Sequence, residues 1–224
     1  MIHAPVNMPT ANQALERLMA GNTRYASGLM SHPNQNAARR TALLKGQHPF
    51  AVILGCSDSR VVPEVLFDQG MGDLFVIRVA GNVLDYIVLG SIEYAALHLH
   101  TPLIMVLGHS KCGAVSATVA GVRLDGHLPN IGVAIQPAVE TARKLPGNLV
   151  DNAIAENAKM VAKQLATSTP VLAPLVNAGK VKVVAAHYDL ATGKVSMLSP
   201  APAPAPTPAP AVTAAATAAS PVIR

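Results

Sequence analysis

Two short aliphatic runs, Phe50-Ala51-Val52-Ile53-Leu54 and Leu103-Ile104-Met105-Val106-Leu107, are each followed, after a glycine, by a polar stretch holding one of the chain's two cysteines. Runs of this length, rich in branched side chains and closed by glycine, read as strands buried on both faces of a parallel sheet. In an open α/β sheet, sites form beyond the carboxyl ends of the strands. As neighbouring strands, the two runs would bring Cys56-Ser57-Asp58-Ser59-Arg60 and Gly108-His109-Ser110-Lys111-Cys112 to the same edge.

Two thiolates and an imidazole are the donors that a catalytic Zn²⁺ takes, with a fourth position left for water. Cys56, His109 and Cys112 are therefore the candidate metal ligands. Two thiolates neutralise the ion. His109 and Cys112 are three residues apart where a strand end turns into a helix, a spacing that brings side chains together. Buried structural cysteines and a core histidine are the bland alternative. Both cysteines, however, sit among polar residues at strand ends and not inside the apolar runs. The same flanking chemistry suits thiolate ligands better than a disulfide.

Asp58 and Arg60 are the candidate catalytic pair. Asp58 can close the fourth metal position itself. Alternatively, it can pair with Arg60 through two parallel hydrogen bonds and orient the attacking water. The residues alone leave both arrangements open. Gly113 lets the following helix begin close to the metal, and the amides entering that helix suit an anion such as a substrate.

Taken in order, the chain predicts an amino-terminal helical arm. Thr10 or Asn12 caps its first helix, Ala14, Leu15, Leu18 and Met19 form the apolar stripe, and Gly21-Asn22 marks a stop or kink. A second helix spans residues 36–44. After the first strand come a short helix at 63–67, a glycine-rich turn at 68–73 and a strand at 74–79. Arg78 lies in that strand and, as a charge in a buried element, needs a partner. A helix over 83–98 leads to the strand at 103–107. His98 and His100 at its end read as ordinary helix-terminal residues. Helices at 130–144, 150–166 and 171–178 precede strands at 181–186 and 194–198. Asn152, Asn157 and Lys159 are expected to be solvated. The fold class is thus α/β, with a central, mostly parallel sheet of four to five strands flanked by helices.

From residue 200 alanine and proline alternate with almost no charge. Such a segment favours extended geometry and cannot bury a core. Two parts follow, an enzyme domain at 1–199 and a flexible tail at 200–224. The formal net charge of +5 is spread along the chain, with Arg39-Arg40 and Arg143-Lys144 its adjacent basic pairs. No basic helix with interleaved aromatics points to nucleic acid. No apolar run is long enough to span a membrane. The first residues have neither a basic n-region nor an apolar h-region, so the expected location is cytoplasmic. A chain from which a leader had been removed would read the same, which leaves the periplasm open.

Cys-Ser-Asp-Ser-Arg followed by His-Ser-Lys-Cys-Gly resembles the signature of the β-class carbonic anhydrases. The likeness continues through Val62-Pro63-Glu64, Gly72 to Arg78, Gly81-Asn82 and Gly90-Ser91-Ile92-Glu93-Tyr94, and covers about residues 11–198. It implies a zinc lyase that reversibly hydrates carbon dioxide to bicarbonate and a proton through a metal-bound hydroxide. Thiolates donate more charge than imidazoles, so activity should favour alkaline pH. It also implies a homodimer or higher homo-oligomer. Gln47 would point its amide at the partner's substrate site, or else be a surface residue before Pro49. In some relatives the arginine matching Arg78 belongs to an inhibitory bicarbonate pocket that includes a tryptophan. This chain has no tryptophan, so that pocket is expected to be absent or altered. A carbon disulfide or carbonyl sulfide hydrolase on the same scaffold, and a zinc-stabilised oligomer without catalysis, are the alternative readings.

Overall fold

The computed structural model describes residues 8–123 and 125–198. The alanine- and proline-rich tail expected from residue 200 lies outside the described residues. Five strands, β1 (Ala51–Gly55), β2 (Leu74–Arg78), β3 (Leu103–His109), β4 (Lys182–Tyr188) and β5 (Val195–Leu198), form one sheet in the order β2-β1-β3-β4-β5. The first four are parallel, and β5 runs antiparallel to β4. The expected architecture is therefore present. β1 and β3 are neighbours, with Val52 opposite Ile104 and Gly55 opposite Leu107, and both strands are buried throughout.

The helices are α1 (Ala11–Ala26), α2 (Ala37–Ala42), α3 (Pro63–Leu66), α4 (Tyr86–His98), α5 (Gly113–Ala120), α6 (Leu128–Ala142), α7 (Leu149–Ala166) and α8 (Leu172–Asn177). One sheet face packs Ile53, Met105 and Leu107 against Ala14 and Leu18 of α1 and Phe67 beyond α3. The other packs Val52, Leu54, Ile104 and Val106 against Ile92 of α4, Ala158 and Val161 of α7 and Leu172 of α8. The apolar stripe of α1 is thus covered by its own chain, whereas α2 has no buried residue.

Several boundaries differ from expectation for identifiable reasons. Thr10 caps α1 through a reciprocal pair of hydrogen bonds with Gln13, but Gly21-Asn22 does not end the helix, which continues to Ala26. Gly21 is there for close approach: a Cβ would stand 1.8 Å from the Phe67 carbonyl oxygen. Asn22 is buried and ties three elements together. Its Nδ2 donates to the Leu66 and Gly193 carbonyls, and its Oδ1 accepts the Val195 amide. The α4 helix starts at Tyr86, not residue 83, because Asp85 caps it by accepting the Val88 amide at 2.8 Å. Strand β3 runs two residues further than expected, so His109 is its last residue.

Asn157 is also corrected. It is not solvated but buried at 1% exposure. Helix α7 has the sheet on one side and α5 and α6 on the other, so its buried surface is wider than one stripe. Asn157 meets the cost of burial in part by donating from Nδ2 to the Gly81 carbonyl at 2.8 Å.

Candidate metal centre

The site is assembled at the carboxyl edge of β1 and β3. Cys56 is the first residue after β1, His109 ends β3, and Cys112 caps the amino end of α5. Lys111 takes a left-handed conformation (φ 56°), which turns the chain sharply enough for Cys112 to face His109. All three side chains are buried, and their donor atoms lie within 4.8 Å of one another.

The imidazole is oriented for ligation. His109 Nδ1 is 2.9 Å from the Ser110 carbonyl oxygen. A carbonyl only accepts, so Nδ1 carries the hydrogen and the Nε2 lone pair is free. Nε2 is buried with no hydrogen-bond partner. Ser110 is fixed in turn: its amide donates to the Tyr188 carbonyl, and its Oγ accepts the Leu190 amide. Strand β4 and the turn after it thereby set the ring's direction.

Cys56 Sγ accepts the Gly81 amide at 3.3 Å. The neighbouring Cys112 side chain favours the Cys56 thiolate and lowers its pKa, against burial, which opposes ionisation. Cys112 is pushed up for the same reason, with burial adding to the effect, while the Val115 and Ala114 amides favour its thiolate. The amides entering α5 are thus turned toward a sulfur, which qualifies the expectation of an open anion site there.

Asp58 and Arg60 form the two-pronged pair. Arg60 Nε lies 2.9 Å from Oδ1 and Nη2 2.7 Å from Oδ2, and the Arg60 amide adds a third bond to Oδ1 at 3.0 Å. These bonds, the side-chain ones first, hold the Asp58 carboxyl well below the usual carboxylate range. Arg60 also reaches the Lys111 carbonyl at 3.4 Å. Arg78, in β2, finds its partners in backbone: Nε donates to the Cys56 carbonyl at 3.0 Å and Nη2 to the Asp58 carbonyl. It holds the loop that carries both the thiol and the carboxylate. Cys56 and Cys112 also pack in an apolar cluster with Val83, Val115 and Ile135.

These donors fit a tetrahedral zinc ion. Zn–S near 2.3 Å and Zn–N near 2.0–2.1 Å place donors about 3.5–3.8 Å apart. The three atoms present need close by no more than about an ångström, and the unpaired Nε2 is the orphan that a metal would satisfy.

The comparisons with known proteins agree. The carbonic anhydrase family model matches residues 51–195. A carbonic anhydrase from Mycolicibacterium smegmatis is 42% identical over 199 residues, covering 86% of this chain and 96% of its own. Carbonic anhydrase 2 of Mycobacterium tuberculosis is 40% identical over 194 residues, with 84% and 93% covered. Among solved structures, the β-carbonic anhydrase CcaA superposes with a TM-score of 0.64 at 29% identity, covering 83% of this chain and 99% of its own. A Coccomyxa β-carbonic anhydrase, solved with acetazolamide, gives a TM-score of 0.65 at 25% identity, with 84% and 82% covered.

This chain belongs to the β-class carbonic anhydrases.

Of the residues expected at a carbonic anhydrase site, the fold brings together Cys56, His109, Cys112, Asp58 and Arg60. Gly113 opens α5 beside them, and a Cβ there would meet nothing within 4 Å. Gln47 is exposed and precedes β1, at the opposite end of that strand from Cys56. Within one chain it does not reach the site. Ser110, Gly81 and Asn157 support the ligands and were not among the expected site residues. Asn157 had a visible signal: it lies three residues after Ile154 and four before Val161, inside the buried stripe of α7. No helix among the described residues is long and apolar enough to cross a membrane.

Proposed function

We propose that Cys56, His109 and Cys112 hold Zn²⁺ and that the enzyme uses it to hydrate carbon dioxide reversibly to bicarbonate and a proton. The observation that carries this reading is the buried, unpartnered Nε2 of His109 facing two sulfurs within 4.8 Å. When bound, the ion supplies a Lewis acid that makes water nucleophilic near neutral pH.

The chain's own residues supply the rest. Asp58 is ionised, so it only accepts hydrogen bonds. Arg60 gives two hydrogen bonds to Oδ1 and one to Oδ2, which leaves a lone-pair direction on Oδ2 to accept from the attacking water. That bond turns the water's lone pair toward the substrate carbon. Val83, Val115 and Ile135 give the apolar substrate a dry wall. Gly113 leaves room at the helix start for bicarbonate oxygens. Gln47 serves the site of a second copy, the arrangement its distance from Cys56 allows.

Self-association has a surface. Tyr86 and Ile87 are 91% and 80% exposed on α4, beside Phe75 of the edge strand β2. A second copy covering this face accounts for such exposure. Light scattering on the purified protein tests it, with a monomer at micromolar concentration as the contrary result.

A stopped-flow hydration assay, with metal analysis on the same sample, tests the whole reading. We expect one zinc per chain and a rate that climbs between about pH 6 and 9. Activity without metal, or turnover of carbonyl sulfide but not carbon dioxide, would overturn it.

A further inference from the structure

Helix α7 contributes no ligand, yet it sends one polar side chain into the floor of the site. Asn157 is 1% exposed and donates from Nδ2 to the Gly81 carbonyl at 2.8 Å. The amide cannot be turned the other way, because its oxygen would then face a carbonyl. Gly81 in turn donates its own N–H to Cys56 Sγ at 3.3 Å. The two peptide planes flanking Gly81 are joined by a left-handed residue (φ 71°), and a Cβ there would stand 2.8 Å from Ile135 Cδ1. Glycine has the backbone freedom to rotate these planes, so something must hold them. Asn157 is the side chain that does.

Burial makes this anchor expensive. Asn157 Oδ1 has no hydrogen-bond partner, and neither does Nδ2 of the adjacent buried Asn82. Packing alone would be better served by leucine at this position, since an unpaired buried polar group is costly. Arg78 holds the Cys56 carbonyl, and the Asp58 and Gly81 amides both favour the Cys56 thiolate, the Gly81 N–H at 3.3 Å from the sulfur.

We propose that Asn157 is a positioning residue for the metal centre. By pinning the Gly81 carbonyl it aims the Gly81 N–H at Cys56 Sγ, and so limits how much charge that thiolate donates to the ion. This rests on the metal reading above. Hydrogen bonds of this outer kind are worth about 10- to 100-fold in metal affinity or activity.

The test uses the full-length enzyme loaded with Co²⁺, whose sulfur-to-metal charge-transfer band reports thiolate donation directly. Asn157→Ala should move the band to longer wavelength and weaken metal binding about 10-fold. Asn157→Asp keeps the shape but replaces the donor with an oxygen, and should move the band the same way. Variants that fold and keep the wild-type band overturn the proposal while leaving the metal reading intact. A wild-type protein that takes up no Co²⁺ overturns both. Should either variant fail to fold, ¹¹³Cd-loaded wild type decides. Scalar coupling between the metal and the Gly81 amide proton is expected, and its absence refutes the link.

Discussion

Both carboxylate oxygens of Asp58 are engaged by a single guanidinium, that of Arg60, at 2.9 and 2.7 Å. A carboxylate already paired this way supports the proposal that the fourth metal position is left to water. Asp58→Ala should retain metal and lose about 100-fold or more in kcat. Arg60→Lys offers a point charge in place of a planar fork and should lose about 10-fold. Hydration rates paired with zinc content on each variant check both. Asp58→Ala with unchanged turnover would favour a structural role for the metal.

Metal removal should cost stability as well as activity. A ligand bound only by the folded chain stabilises it by mass action, and a metal held by Cys56, His109 and Cys112 would join β1 to β3 and α5. Chelation should lower the melting temperature, and added zinc should restore it. His109→Ala should melt like the chelated wild type and not respond to zinc.

Acid sensitivity should trace to a pair remote from the site. Burial alone would push the Asp68 carboxyl up, but the Ser31 and His32 amides, the Ser31 hydroxyl and Arg24 outweigh it and hold it well below its usual range. A carboxyl depressed in the folded state stabilises the protein above its unfolded pKa, about 3.9. That contribution fades as pH falls further toward the folded value. Asp68→Asn should therefore be less stable at neutral pH by about 3 kcal/mol and show a flatter loss of melting temperature below about pH 4 than wild type.

Two glycine-to-alanine changes should have opposite effects. At Gly21, alanine gains helix propensity of about 1 kcal/mol but meets the Phe67 carbonyl at 1.8 Å. Overpacking wins, and a net loss of about 3 kcal/mol is expected in urea unfolding. At Gly113 the added methyl meets nothing within 4 Å, so stability should hold or rise. If bicarbonate uses that space, KM for bicarbonate should rise several-fold in Gly113→Ala.

The three-donor cluster was legible because its chemistry is local: each cysteine follows an apolar run that forms a buried strand. Gln47 illustrates a reading that one folded chain does not resolve, since its suggested target belongs to another copy. Asn157 reads as solvated when it is placed off the apolar stripe of its helix, whereas it is buried. Its place between Ile154 and Val161 on the buried stripe was the better guide, and the acceptor it meets is 76 residues away. Gly21 was misread similarly. Glycine in a helix reads as a break, whereas here it answers a neighbour that becomes visible only when α1 docks on α3.

Gly108 links the sheet to the support of the metal centre. A Cβ there would lie 3.3 Å from the Ile154 carbonyl oxygen and 3.4 Å from Ala158 Cβ, the two α7 residues that bracket Asn157. The helix rests on bare backbone at the position next to His109. A single methyl at Gly108 would ask the Ile154 carbonyl to give way by only a few tenths of an ångström, yet that carbonyl belongs to the helix whose Asn157 reaches the turn beneath Cys56. The strand's bare backbone thus sets the seat of the helix behind the three-donor cluster.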